Sequence, residues 1–69
     1  MKLSARNILK GKITKIVTGA VNSEINIELP GRVAITSVIT NTSVKALDLK
    51  EGKEAYAVIK ASNVMVAVD

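Results

Sequence analysis

The sequence predicts an all-β fold of five strands, with one short helical turn between the third and the fourth. Three observations lead there: apolar–polar alternation over Val21–Leu29, a proline–glycine turn at Pro30-Gly31, and Val/Ile-rich runs of strand length on either side. Alternation with period two is the mark of a strand with one wet face, and two such runs around a tight turn form a hairpin.

The first strand spans Ile8 to Val17 and ends at Thr18-Gly19. Gly11 inside it marks a bend or a close approach of another backbone, as barrel strands often need. The second strand carries Val21, Ile25, Ile27 and Leu29 on one face, with Asn22, Glu24, Asn26 and Glu28 on the other. Pro30 suits the first central position of the turn, and Gly31 the positive φ of the second. The third strand, Arg32 to Thr40, resumes the alternation with Val33, Ile35 and Ile39 together. Asn41-Thr42-Ser43 then offers capping side chains before Val44-Lys45-Ala46-Leu47, a single turn or short helix. A turn centred on Gly52 covers Asp48 to Lys53, and two strands close the chain, Glu54–Lys60 and Asn63–Val68.

Those last strands differ from the hairpin. Tyr56-Ala57-Val58-Ile59 and Val64-Met65-Val66-Ala67-Val68 are apolar on both faces. Strands of that kind are covered on both sides, and in a chain this small the second cover is expected from another subunit. Five strands with a helical turn between the third and fourth give a compact, OB-like Greek-key barrel. There is no linker, repeat or low-complexity tract, so residues 1–69 read as one domain.

Composition points to self-association. A chain of 69 residues buries only about 60% of its unfolded surface. Small domains compensate with disulfides, a metal or oligomerisation. Cysteine and histidine are both absent, which removes disulfides and the usual zinc ligands. The chain is 48% hydrophobic yet has one aromatic, Tyr56, so its apolar surface is aliphatic and in excess of what one small core can hide.

Ten Lys/Arg against six Asp/Glu give a net charge of +4. That favours an anionic partner, whether nucleic acid, a membrane surface or a small ion. No apolar run reaches the roughly 20 residues of a membrane helix, and Met1–Arg6 lacks a signal-peptide core. A cytoplasmic protein without a membrane partner is expected.

Catalysis is hard to build from these residues. The commonest general base and the strongest nucleophile are missing. The acids are scattered, and Gly11, Gly19, Gly31 and Gly52 are isolated rather than gathered into a phosphate loop. A non-enzymatic protein is expected. What the chain does have is three clusters of hydrogen-bond donors at strand ends: Ser4-Ala5-Arg6-Asn7, Thr40-Asn41-Thr42-Ser43 and Lys60-Ala61-Ser62-Asn63. Singly, each reads first as an ordinary cap or turn. Arg6 and Lys60 read equally as surface cations, or as partners of Glu51 and Glu54.

Taken together, the clusters resemble a known family. Ser4-Ala5-Arg6-Asn7 with Leu9-Lys10-Gly11, then Ile39-Thr40 with Ser43-Val44, then Gly52 through Ser62 running on to Val64-Met65, resemble three ordered blocks of the molbindins. These are the small molybdate-binding Mop proteins of the TOBE superfamily. The resemblance covers nearly the whole chain. It implies an OB-like barrel in a homohexamer, a trimer of dimers, with molybdate or tungstate held between subunits and no metal bound except as the oxyanion.

Carried over by position, the main site would use Ser4 and Arg6, with Ala5 and Asn7 beside them, Thr40 and Ser43, and Lys60, Ala61 and Ser62. A second site near the threefold axis would fall at Gly19, Ala20, Val21 and Asn22. The implied role is intracellular storage, buffering or homeostasis. One departure is the turn Leu29-Pro30-Gly31-Arg32, where relatives often carry a Gly-Gly-Asn type turn. The module also occurs in molybdate-responsive transcription factors and transporter ATPases, so a sensing domain is one alternative. The Met1 start and the five-strand unit favour a free-standing protein.

The chemistry agrees with the resemblance. Molybdate is a tetrahedral dianion without a proton at neutral pH, so its site should offer donors and no carboxylate. None of the three clusters contains Asp or Glu. Arg6 offers parallel N–H groups, Lys60 a point charge, and Ser4, Thr40 and Ser62 hydroxyls. The rival module is an OB-type nucleic-acid binder. Single-strand binders stack bases on aromatic platforms, and Tyr56 is the one candidate, in a strand read as buried; no nucleic-acid partner is expected.

Overall fold

The computed structural model describes every residue, Met1–Asp69. Four strands form one antiparallel sheet: β1 (Asn7–Thr18), β2 (Asn22–Leu29), β3 (Val33–Thr40) and β4 (Glu54–Ile59). A short helix, α1 (Asn41–Ala46), follows β3, and a single 3-10 turn, Ala61–Asn63, follows β4. The order across the sheet is β3-β2-β1-β4, so β3 and β4 are its free edges.

Gly11 performs the role expected of it. A Cβ there would meet the backbone of β2, so the missing side chain lets β1 and β2 approach closely. A register irregularity between Ile13 and Lys15 adds local twist to β1. The hairpin turn differs by one residue from expectation. Leu29 pairs with Val33, so the loop holds Pro30, Gly31 and Arg32, and Arg32 is not a strand residue. Gly31 and Arg32 both take positive φ, 84° and 61°. Composition signals a turn, but the one-residue difference in loop length lies in backbone angles that residue types leave open.

The helix begins one turn earlier than expected. Thr40 is its N-cap, accepting from the Ser43 N–H at 3.0 Å. At its other end the Lys53 ammonium donates to the carbonyls of Leu47, at 3.0 Å, and Asp48, at 2.9 Å. Those carbonyls lack partners within the helix.

The expected fifth strand, Asn63–Val68, is not formed within this chain. Residues after Asn63 belong to no strand or helix, with Met65 93% and Val66 89% exposed. A strand exists only by pairing, and the apolar character read in this segment says that it is to be covered, not by what. Tyr56, expected to be buried, is half exposed for the same reason.

The core is correspondingly thin. Only Ile13, Ile25, Ile27, Ala57 and Ser23 are buried, five of 69 residues, so one chain does not close its own interior. The radius of gyration, 12.7 Å, exceeds the roughly 11 Å of a compact chain this long. Ile35–Ser37 of β3 and Tyr56–Ile59 of β4 line one cavity of about 320 Å³. The two edges therefore face each other across a gap, and the sheet is a barrel left open on one side.

Candidate functional site

The first and third donor clusters come together at one end of β1. Asn7 pairs with Ile59, and its Nδ2 donates to the Ile59 carbonyl at 3.3 Å. Arg6 and Lys60 stand one residue beyond that pair, and Ser4, Ala61 and Ser62 lie in the exposed bends that follow. Arg6 and Lys60 have no carboxylate within 4.0 Å, whereas Glu54 is taken by Lys10 at 3.2 Å. The reading of these two cations as partners for Glu51 and Glu54 therefore fails. They are fixed charges with unused donors.

The second cluster lies at the other end of the sheet. Thr40 pairs with Asn22, beside Thr18 at the far end of β1. From Asn7 to Thr18 the chain path is roughly 35 Å at about 3.3 Å per strand residue. Within one chain, then, Thr40 and Ser43 do not join Arg6 and Lys60. They adjoin the turn Gly19–Asn22, the other expected site. The Thr40 hydroxyl donates to the Ser43 hydroxyl at 2.8 Å while accepting from the Ser43 backbone N–H. The Thr40 proton is thus spent, and the Ser43 hydroxyl proton is the one free to point outward. Such a chain of hydroxyls polarises its terminal donor.

Sequence reasoning passed over two residues at this corner. Ser23, 2% exposed, donates to Asn41 Oδ1, and Asn41 Nδ2 donates to the Gly19 carbonyl at 2.9 Å. Asn41 was legible only as one member of a cap-forming cluster. Ser23 carried a weak signal, a hydroxyl among the apolar positions of the alternating second strand.

The Lys10 ammonium is held above its ordinary pKa. Its hydrogen bond to Glu54, with that carboxylate's charge, raises it. No three Asp, Glu, His or Cys side chains are grouped so as to hold a bare metal ion. No helix is long and apolar enough to cross a membrane.

The TOBE domain family model matches residues 3–66. The chain belongs to the TOBE domain family. This TOBE domain is 49% identical over 69 residues to the "Probable molybdenum-pterin-binding protein" of Haemophilus influenzae, with all of both chains covered. Its fold matches that of MopII from Clostridium pasteurianum with a TM-score of 0.92 and 43% identity, over 97% of this chain and 100% of that one. It also matches the cytoplasmic molybdate-binding protein ModG, solved with molybdate bound, with a TM-score of 0.91 and 54% identity. There the match covers 94% of this TOBE domain and 46% of ModG.

Proposed function

We propose that this TOBE domain binds molybdate, and tungstate of nearly the same size, between the subunits of a cytoplasmic homo-oligomer that stores or buffers the ion. One observation carries the reading. Arg6 and Lys60 converge at one end of β1 without carboxylate partners, while Thr40 and Ser43 sit at the other end. A donor-only cage made of all three clusters therefore needs two chains. Charged hydrogen bonds contribute about 1.5–3 kcal/mol each, and micromolar binding requires about 8 kcal/mol. A few such bonds suffice.

The assembly we propose is a hexamer, a trimer of dimers, in which each subunit completes its neighbour's barrel. The segment Val64–Val68 is exposed and apolar, and the gap between β3 and β4 is lined by apolar side chains of both edges. A strand from a second copy in that gap would turn the order β3-β2-β1-β4 into a closed, five-stranded OB-like barrel. Each large aliphatic side chain so buried contributes about 1.5–3 kcal/mol.

The relatives' names add a pterin. The three clusters contain no carboxylate to accept from a pterin's ring N–H groups and no aromatic to stack on it, so the ion alone is proposed. For the same reason phosphate, partly protonated at neutral pH, binds poorly: its O–H finds no acceptor, at a cost of about 1–3 kcal/mol. Sulfate carries no proton and is discriminated by size.

Native mass spectrometry with and without molybdate, joined to calorimetric titration, tests the proposal. The expected result is an oligomer that takes up molybdate and tungstate about equally and phosphate far more weakly. A monomer, or phosphate binding as tight as molybdate, overturns it.

A further inference from the structure

We infer that the outer face of β1 and β4 binds single-stranded nucleic acid, with Tyr56 as the stacking platform and Arg6 and Lys60 as the seat of a backbone phosphate. This activity is separate from molybdate binding, although both ligands draw on the cationic end of the face.

Register and alternation assemble the face. Ile8 pairs with Val58, Lys10 with Tyr56 and Lys12 with Glu54 across the β1–β4 ladder. Ala57 is buried and Ala55 packs on the core, so Glu54, Tyr56 and Val58 stand on the opposite side of β4. The ion pair from Lys10 to Glu54 puts Lys10 on that side as well. Arg6 and Lys60 follow one step beyond the Asn7–Ile59 pair. From Arg6 to Lys12 the stripe runs about 20 Å at roughly 3.3 Å per residue. That is room for the shortest single-strand sites, about four nucleotides.

Each part of the stripe matches one part of a nucleotide chain. Tyr56 is 50% exposed, so the expectation of a buried ring, which set nucleic acid aside, does not hold. Ile8 and Val58 beside it are exposed too. A solvent-facing aromatic with aliphatic neighbours is a surface on which bases stack whatever their sequence. Arg6 and Lys60 have no carboxylate within 4.0 Å. A phosphodiester, unlike free phosphate, carries no O–H at neutral pH, so a seat made of donors accepts it with nothing left unpaired.

The charges also set a direction. The two acids of the face, Glu28 and Glu54, both pair in register with Lys12 at the far end of the stripe. The Arg6–Lys60 end therefore keeps the net positive charge and draws the phosphate, which leaves the bases over Tyr56. The net charge of +4 adds a long-range attraction for any polyanion. Only a ligand with bases gains from Tyr56.

The test is fluorescence anisotropy of a labelled oligothymidylate with the wild-type protein over a range of salt, compared with inorganic polyphosphate and made without molybdate. Tyr56 is the one aromatic of the chain, so its own fluorescence reports from this face alone. The expected result is salt-dependent binding in which the oligonucleotide quenches Tyr56 and polyphosphate does not. Tyr56→Ala should bind about tenfold more weakly with an unchanged salt slope. Tyr56→Phe should bind as the wild type does, and Arg6→Ala should lower the salt slope by about one. Polyphosphate binding as tight as the oligonucleotide, or an oligonucleotide that leaves Tyr56 fluorescence unchanged, overturns the inference. So does a folded Tyr56→Ala that binds as the wild type does; if that variant does not fold, the wild-type comparison decides alone. None of these outcomes touches the oxyanion reading, whose test is molybdate uptake.

Discussion

A Cβ on Gly11 would lie 2.5 Å from the carbonyl oxygen of Glu28, so at this glycine β1 and β2 approach too closely to leave room for a side chain. The same atom would meet Ile27 Cγ2 at 2.8 Å. The first obstacle is backbone, so it cannot rotate away as a side chain would. Gly11→Ala must push β2 off β1 next to the buried Ile13 and Ile27, at a cost of about 3 kcal/mol. For a domain of this size that lowers the melting temperature by roughly 12–24 °C, measurable by circular dichroism. A melting temperature within two degrees of the wild type would show that the strands yield freely.

Arg32 offers the opposite change. Its φ of 61° is left-handed, which costs a residue with a Cβ about 1–2 kcal/mol. Arg32 has no ion-pair partner to lose. Glycine removes the strain but adds freedom to the unfolded chain, worth about 0.4–1 kcal/mol. Arg32→Gly should therefore stabilise the protein by about 0.5 kcal/mol and raise the melting temperature by a few degrees. A fall on chemical denaturation would mean that Arg32 makes a contact in the assembled protein.

These two positions show what was legible. Gly11 announced itself because glycine inside a strand has few other uses, and the alternation from Val21 to Leu29 defined β2 within a residue. The β4 segment was readable because a run of β-branched and small apolar residues has little alternative to a strand. The tail Asn63–Val68 reads as a fifth strand but forms none within this chain: its apolar character is legible, whereas strand formation depends on a partner whose identity is not written in the segment itself. The site divides in the same way. Residue types marked three donor clusters, while their distribution over opposite ends of β1 follows from strand length and register, which single positions do not carry. Asn41 stayed hidden because an asparagine in a cap and one bridging two segments look alike until the turn is seen beneath it.

The ion pair between Lys10 and Glu54, 3.2 Å across the β1–β4 ladder, predicts an alkaline signature. Acceptance of its hydrogen bond by Glu54 holds the Lys10 ammonium above the ordinary lysine range. A group with a raised pKa in the folded state contributes stability that is fully present below its unfolded value, about 10.4, and lost as pH rises through the folded value. The stability difference between the wild type and Glu54→Gln should hence be constant through neutral pH and shrink only in strongly alkaline solution. NMR titration of the Lys10 ammonium should show its midpoint fall in Glu54→Gln. Identical titrations in the two proteins would show that the pair is open in solution.

Arg6 and Lys60 provide the sharpest test of the ligand, because both are exposed and neither forms an ion pair. Unpartnered surface cations contribute little to the bare fold, so Arg6→Ala and Lys60→Ala should melt within about 0.5 kcal/mol of the wild type without ligand. Molybdate bound only by the assembled state stabilises it by about 2.7 kcal/mol at a hundredfold excess over Kd. Loss of one charged hydrogen bond, about 1.5 kcal/mol or more, weakens binding roughly tenfold, and the same ligand concentration then contributes only about half as much. Each variant should therefore keep its ligand-free melting temperature and lose about half of the molybdate-induced rise, read by scanning calorimetry. Lys50→Ala is the control: Lys50 is also an exposed cation, 3.8 Å from Asp48 and outside the donor clusters, and its removal should leave the rise untouched. If all three variants lose the same fraction, the net positive charge attracts the ion and the seat formed by Arg6 and Lys60 does not.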